Sequence, residues 1–397
     1  MLADVRARYN KQFKQARYEA FIETVHADYP NQLDFRLTET PLFIPKALGQ
    51  QLIEAGELIV DVLVQPDFKE KTKDAVPANC LVPNENANAS FLALDYAVCK
   101  DAEGNLTPQL IEFQGFPSLF GFQPYLGEGY RQAFYVPDNF TEYFDGMDRE
   151  GYIAMFREFL LGKHAPENVI LLEIYPEIQK TRIDFVLTEE YTGVKAVCLT
   201  KIQKEGKKLY YDNNGTRTEI KRIYHRLIFD ELQQYPDLQT EFKLTDDVEV
   251  EWVGHPNWFF RISKYAMPFL KGNPYVPASY FLKDLLAYPT DLENYVLKPL
   301  FSFAGMGVKI NITAADLDAV TDKENYLIQR KVQYEPVVES PTGGVKAEIR
   351  MLYIWEEGAP RPRLVTNLGR LSRGEMIGVR YNADFDWVGG SICYFEK

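Results

Sequence analysis

The segment Tyr295-Val296-Leu297-Lys298-Pro299-Leu300-Phe301-Ser302-Phe303-Ala304-Gly305-Met306-Gly307-Val308-Lys309-Ile310 sets two short apolar runs on either side of a loop containing Gly-x-Gly. Two readings fit it. A strand that carries Lys298 to its end, followed by a loop whose glycines let backbone N–H groups approach a ligand, is a way to hold polyphosphate. A hairpin with a glycine bulge and a solvated lysine fits the same letters. The pattern is not the Gly-x-x-x-x-Gly-Lys-Ser/Thr of P-loops, so residues elsewhere have to decide.

Those residues lie far upstream. Along Phe91-Leu92-Ala93-Leu94-Asp95-Tyr96-Ala97-Val98 a period of two puts Asp95 on one face with Phe91, Ala93 and Ala97, where a carboxylate needs a partner. Lys100-Asp101-Ala102-Glu103-Gly104-Asn105 has the chemistry of a turn. On the returning strand, expected over 109–115, Glu112 and Gln114 share one face while Ile111 and Phe113 share the other. The hairpin can therefore present Asp95, Glu112 and Gln114 together. Two carboxylates and an amide carbonyl suit Mg²⁺, a hard cation completed by waters and substrate phosphates. The competing reading is that Glu112 and Gln114 face water on an antiparallel sheet.

The remainder of the chain is mixed. Up to about residue 65 the spacing of Tyr18, Phe21, Ile22 and Val25, and then of Leu48, Leu52 and Ile53, predicts helix. The aromatic stretch from Phe116 to Tyr143 is open between loop and helix. From Glu167 onward the pattern alternates, with a strand over 169–174, a helix over 176–182, and strands over 183–187 and 194–199, which is α/β in character. Strands over 208–211 and 218–224 flank Asp212-Asn213-Asn214-Gly215-Thr216, and Asn-Gly is a strong hairpin signal. A third region starts near Trp252. It holds the opening segment, a strand over 326–332, and a hairpin of 348–355 with 363–368 around Glu357-Gly358-Ala359-Pro360.

At 397 residues the chain is long for one core, so two or three subdomains are expected. The net charge of −13 would repel nucleic acid and anionic membranes, so neither is expected as a partner. A small phosphorylated ligand needs only a local positive pocket. Cys80, Cys99, Cys198 and Cys393 form no Cys-x-x-Cys or Cys/His ligand spacing and read as reduced core thiols of a cytoplasmic protein. The segment Met1 to Asn10 lacks the apolar run of a signal peptide, and no apolar run reaches the roughly 18 residues of a membrane span. Secretion and membrane insertion are not expected. His255 and His225, each in an aromatic setting, read as structural.

Asp95, the Leu110-Ile111-Glu112-Phe113-Gln114-Gly115-Phe116-Pro117 segment and, much later, Val296-Leu297-Lys298-Pro299 with its Gly-x-Gly loop resemble the circularly permuted ATP-grasp family, in particular its glutathionylspermidine synthase-like group. In ordinary ATP-grasp enzymes the acidic metal motif follows the ATP-binding lysines; in the permuted group it precedes them, which is the order here. The resemblance covers most of residues 90 to 390. It implies an α+β fold of mixed α/β character, a circularly permuted ATP-grasp fold with antiparallel sheets plus a smaller Rossmann-like α/β subdomain. Residues 1–160 would form a helical lead-in with the metal-ligand hairpin, 161–250 the Rossmann-like part, and 251–397 the nucleotide-binding region.

The resemblance also implies ATP and Mg²⁺ as cofactors, and roles for individual residues. Asp95, Glu112 and Gln114 would hold Mg²⁺ between phosphates, and Lys298 would touch the α- and β-phosphates, with Gly305 and Gly307 in a lid loop. Lys264 stands where the family's earlier nucleotide-binding lysine is expected, and Gln329 lies in a segment similar to the adenine-binding hinge. Arg350 and Arg370 match arginines that approach the transferred phosphate and the acyl intermediate. For Arg350 the competing reading is a surface pair with Glu348, and for Lys264 an ordinary surface lysine.

The implied activity is ATP-dependent ligation of a small carboxylate to an amine, giving an amide or peptide bond through an acyl phosphate. Two departures stand out: Gln114 replaces the motif's usual Asn, and Ala93 stands where amide-forming relatives have arginine. They motivate two alternatives, a catalytically inactive nucleotide-binding or regulatory protein and an ATP-dependent phosphotransferase. The substrates and the oligomeric state stay open.

Overall fold

The alternation along residues 91–98 and 109–114 becomes a hairpin of Phe91–Lys100 with Leu106–Gln114 in the computed structural model, which describes residues 2–302, 306–374, 382 and 384–397. Asp101 closes its turn, accepting hydrogen bonds from the backbone N–H groups of Glu103 and Asn105. The hairpin is one side of an antiparallel sheet in the order Gly389–Ser391, Arg363–Ser372, Gly343–Ile354, Phe91–Lys100, Leu106–Gln114. Strands from the early and late parts of the chain are thus hydrogen-bonded neighbours, with Arg350 opposite Asp95.

The two faces of Phe91–Lys100 go to different cores, as a period of two requires. Leu92, Leu94, Tyr96 and Val98 pack with Leu52, Ile59 and Tyr353. Phe91 and Ala93 pack with Phe156, Val169, Leu171 and Tyr224, beside the parallel sheet. Asp95 continues this second face, so the same row of the sheet changes from apolar to charged within two residues.

On the first face the Lys46–Leu63 helix approaches closely at Gly56, where a Cβ would lie 2.0 Å from Tyr353 Oη and 3.1 Å from its Cζ. Gly56→Ala is therefore expected to lower stability by about 1–3 kcal/mol, measured by urea denaturation. Tyr353→Phe in the same chain should restore most of it, because the obstructing Oη has no hydrogen-bond partner to lose.

A second sheet is parallel, in the order Glu251–Val253, Arg222–His225, Val169–Glu173, Lys195–Cys198. Val169–Glu173 is buried along its whole length, which its unbroken apolar run anticipates. The segment following it corrects the sequence reading. A short 3₁₀ turn, Pro176–Ile178, is followed by the Arg182–Thr192 helix, where a helix over 176–182 and a strand over 183–187 were expected. Parallel neighbours need a crossover, and Ile183 and Leu187 are four apart on its buried side. Thr188 and Thr192 hydroxyls donate to the carbonyls of Asp184 and Thr188.

The aromatic stretch from Phe116 to Tyr143 contains the Phe122–Ala133 helix, whose first N–H donates to Asp184 Oδ1 at 2.9 Å. The Asn-Gly hairpin forms from Lys208–Asn213 and Thr216–Ile220, with Asn214 and Gly215 both at positive φ. Its expected second strand divides: Arg222–His225 leaves to join the parallel sheet.

The opening segment lies in a third sheet, antiparallel, of Ser279–Phe281, Tyr326–Arg330 and Tyr295–Pro299. Leu297 and Lys309 exchange backbone hydrogen bonds at 2.9 Å, so the chain does fold back after the loop. Gly307 has φ +71, and a Cβ there would meet Pro299 Cγ at 2.7 Å. Gly305 lies outside the described residues. Among the described residues no helix is long and apolar enough to cross a membrane, and the four cysteines are free and buried.

Candidate functional site

A register shift in the first hairpin prepares the site. Asp95 is opposite Glu112, but Tyr96 is opposite Leu110, so Ile111 has no partner across the ladder. Its carbonyl accepts instead from Lys298 Nζ at 3.2 Å, which brings the end of the Tyr295–Pro299 strand against the hairpin. Lys298 also donates to Gln329 Oε1 on the adjacent strand. Gln329 Nε2 is buried with no partner, as is Ser302 Oγ. Buried polar groups left without a partner are rare enough to mark a place where a ligand could bind.

Lys264 arrives from the other side. Gly115 N donates to Ile262 O at 2.9 Å, and a Cβ at Gly115 would lie 2.8 Å from Trp258 O, so the segment before Lys264 is laid against the end of the hairpin. Ser263 Oγ then accepts from Tyr265 N and starts the Lys264–Leu270 3₁₀ stretch. Lys264 Nζ donates to Glu112 Oε1 at 2.9 Å and to Ser302 O at 2.5 Å. It is 5 % exposed, which removes the surface-lysine reading.

Along the sheet the charges interlock. Arg350 Nε and Nη2 donate to Asp95 Oδ1 and Oδ2 at 2.5 and 2.6 Å, a side-on fork, while its Nη1 donates to Ser118 Oγ at 2.8 Å. Arg370 Nη2 donates to Asp95 Oδ2 at 2.6 Å and to Glu348 Oε1. Tyr334 Oη donates to Glu348 Oε2 at 2.9 Å. Arg350 is therefore held by Asp95, and Glu348 belongs to Arg370.

Protonation follows this wiring. Burial would raise the Asp95 carboxyl, but Arg350 and Arg370 outweigh it and hold it below the usual range. Burial raises Glu348, the charge of Asp95 adding to it against the pull of Arg370. Burial depresses Lys298 to about 8, opposed by Glu112 and assisted by Lys264. His225 and His255 are depressed to about 3 and about 4, chiefly by burial. His255 Nε2 lies 2.9 Å from Pro83 O and its Nδ1 accepts from Asn257 N, which makes it an enclosed structural group; His225 is equally buried, with its Nε2 unpaired.

Of the residues singled out in the sequence, Lys264 pairs with Glu112, Lys298 with Gln329, and Arg350 and Arg370 with Asp95; Lys298 reaches the strand of Glu112 through Ile111 O, and Asp95 lies opposite Glu112 in the ladder. Gln114 is opposite Ala93, two pairs along the ladder from Glu112. Both oxygens of Asp95, which the resemblance assigns to Mg²⁺, accept from guanidinium groups here, three hydrogen bonds in all. Among the described residues no three or more His, Cys, Asp and Glu side chains converge as a metal-ligand set. Ser118, Ser302 and Tyr334 escaped the sequence reading; nothing in their local pattern marks them, since each acts through a partner distant in the chain. A cavity of about 660 Å³ lined by Phe21, Tyr29, Tyr125 and Tyr191 contains none of the site residues.

No family model matches the chain, and no curated protein matches it. Among solved structures it is similar to a glutathione synthetase-like effector from Globodera pallida in its apo form, at 11 % identity and a TM-score of 0.58. The match covers 97 % of this chain and 98 % of that one. At that identity the likeness concerns architecture, and the chain has a glutathione synthetase-like fold with mixed α and β elements and several antiparallel sheets.

Proposed function

We propose that the chain is an ATP-dependent carboxylate–amine ligase built on a circularly permuted ATP-grasp fold, and that it joins a small carboxylate to an amine through an acyl phosphate. The observation that carries this reading is the approach of Lys264 and Lys298 to the strand of Glu112, beside Arg350 and Arg370 on neighbouring strands of the same sheet, in a glutathione synthetase-like architecture. The orphaned Gln329 Nε2 and Ser302 Oγ supply unspent polar atoms of the kind a nucleotide would satisfy.

The residues present fit Mg-ATP in part. Glu112 and Gln114 would hold the metal, and Lys264, Lys298 and Gln329 the nucleotide; Asp95 is spoken for. ATP supplies the phosphoryl group that activates a carboxylate, and Mg²⁺ neutralises phosphate charge. The chain's own part is positional and electrostatic. The lysines bind anionic oxygens, and the guanidinium groups of Arg350 and Arg370 supply positive charge held in place before the substrate arrives, which is where charge acts most strongly. No covalent protein nucleophile is required, and the buried cysteines and enclosed histidines offer none.

The occupied oxygens of Asp95 and the alanine at position 93 favour one second reading, a nucleotide-binding protein without ligase activity. Thermal unfolding with saturating Mg-ADP tests the shared part. A ligand at about 100 times its dissociation constant adds about 2.7 kcal/mol to the native state, and that gain is expected here. No shift would end both readings. ADP release that requires both a carboxylate and an amine would then select the ligase.

A further inference from the structure

The cavity of about 660 Å³ that contains none of the site residues has walls of an unusual kind. The helices Gln15–Asp28, Phe122–Ala133 and Arg182–Thr192 each contribute to it. Phe21 lies against the second of these at Gly129, where a Cβ would stand 2.8 Å from Phe21 Cε2. Tyr29 and Tyr125 meet edge to face, their centroids 5.1 Å apart and their planes at 88°, and so make two perpendicular walls. Both rings are tied by their hydroxyls: Tyr29 Oη donates to Glu190 Oε2 at 2.6 Å and Tyr125 Oη to Asp28 Oδ2 at 2.7 Å. A phenol polarised by a carboxylate acceptor carries more electron density on its ring faces. Tyr191 already faces a cation, with Arg149 Cζ 5.8 Å from its centroid.

The charges of the cavity do not cancel. Asp28, Glu128 and Glu190 accept from Tyr125, Gln132 and Tyr29, all neutral donors, and none of the three forms an ion pair among the described residues. Of the two guanidinium groups in the lining, Arg149 is paired with Glu150 at 3.3 Å, and Arg17 has no ion pair among the described residues. Arg131, whose charge interacts with Glu128, is itself bound by Glu142. Three carboxylates thus share the cavity with one uncommitted cation, and a cleft lined by an excess of one sign draws the other. A hydrated metal ion gains little from ring faces; a weakly hydrated ammonium bearing alkyl groups gains from the rings and the carboxylates together.

We propose that this cavity binds an organic ammonium group of a small molecule, held against the faces of Tyr29, Tyr125 and Tyr191 and compensated by Asp28, Glu128 and Glu190. The site is separate from the proposed nucleotide site and does not depend on it.

Tetramethylammonium chloride is titrated into the full chain at constant ionic strength, and the proton resonance of its methyl groups is followed. A saturable upfield shift is expected, because protons held over a ring face are shielded. Tyr125→Leu should weaken binding at least about fivefold, while Tyr125→Phe, which keeps the ring, retains more of the affinity than Tyr125→Leu. Glu190→Gln should weaken it at least about threefold; the residue is exposed, so this variant tests the charge without disturbing a core. The neutral isostere tert-butanol should give no comparable saturable shift. Absence of a saturable shift with tetramethylammonium, an equal one with tert-butanol, or unchanged affinity in both Tyr125→Leu and Glu190→Gln overturns the proposal. A chain that binds no Mg-ADP yet shows the shift upholds this site while the nucleotide reading fails.

Discussion

Asp95→Ala should lower the free energy of unfolding by about 3–5 kcal/mol, the loss expected when one partner is removed from a buried ion pair. Asp95 is 3 % exposed, and its two oxygens accept three hydrogen bonds from two guanidinium groups. Without it Arg370 still has Glu348 and can turn its exposed edge toward water. Arg350 keeps only Ser118, a neutral acceptor, as a hydrogen-bond partner and is 12 % exposed against 35 % for Arg370, so most of the loss belongs to Arg350. Arg350→Met added to Asp95→Ala removes the stranded charge and should recover a large part of the stability, because replacing both members of a buried pair by apolar groups is often neutral. Urea midpoints at constant m-value provide the measurement. A loss under about 1 kcal/mol in the single variant would place Asp95 with ordinary solvated pairs.

The same pair of residues shows how far the sequence could be followed. Alternation along residues 91–98 identified the strand and the face of Asp95, and the need of that carboxylate for a partner followed from its apolar neighbours. Its partner could not be named, because Arg350 is 255 positions away and reaches Asp95 only through the register of a strand pairing that local pattern does not encode. Metal ligation and guanidinium pairing ask the same thing of a strand, a carboxylate on an inward face, so the letters alone do not separate them. The register shift at Ile111 was equally invisible, yet it frees the carbonyl that anchors Lys298.

Elsewhere the failure was one of period. Ile183 to Leu187 is a short apolar run that serves a strand or a helix equally well, and the crossover demanded by two parallel strands decided it. The glycine loop after Lys298 proved less divided than its two readings. Leu297 and Lys309 pair as a hairpin would, and Lys298, at the end of that strand, is buried against Gln329 with no solvated ammonium.

That burial makes Lys298 the most pH-sensitive feature of the proposed nucleotide site. Its ammonium is depressed to about 8, against about 10.4 for a free lysine. The cause is burial, with Glu112 pulling upward and Lys264 downward. A polyphosphate bound at Nζ favours the charged form, so the complex holds its proton to higher pH than the free protein does. Between those two pKa values the complex carries more protons than the free protein, and linkage requires affinity to fall as pH rises. ADP affinity is therefore expected to be flat well below pH 8 and to weaken above it, by at most tenfold for each pH unit. Calorimetric titrations at about pH 8, in buffers of different ionisation heat, should show uptake of about half a proton per nucleotide bound. Lys298→Met should abolish both effects and weaken ADP binding at neutral pH by roughly 10- to 100-fold, the value of one charge-assisted hydrogen bond. An affinity that stays constant through that pH range, with no proton taken up, would mean that Lys298 does not meet phosphate. Its contacts with Gln329 and Ile111 would then be its whole purpose, a strut between two sheets.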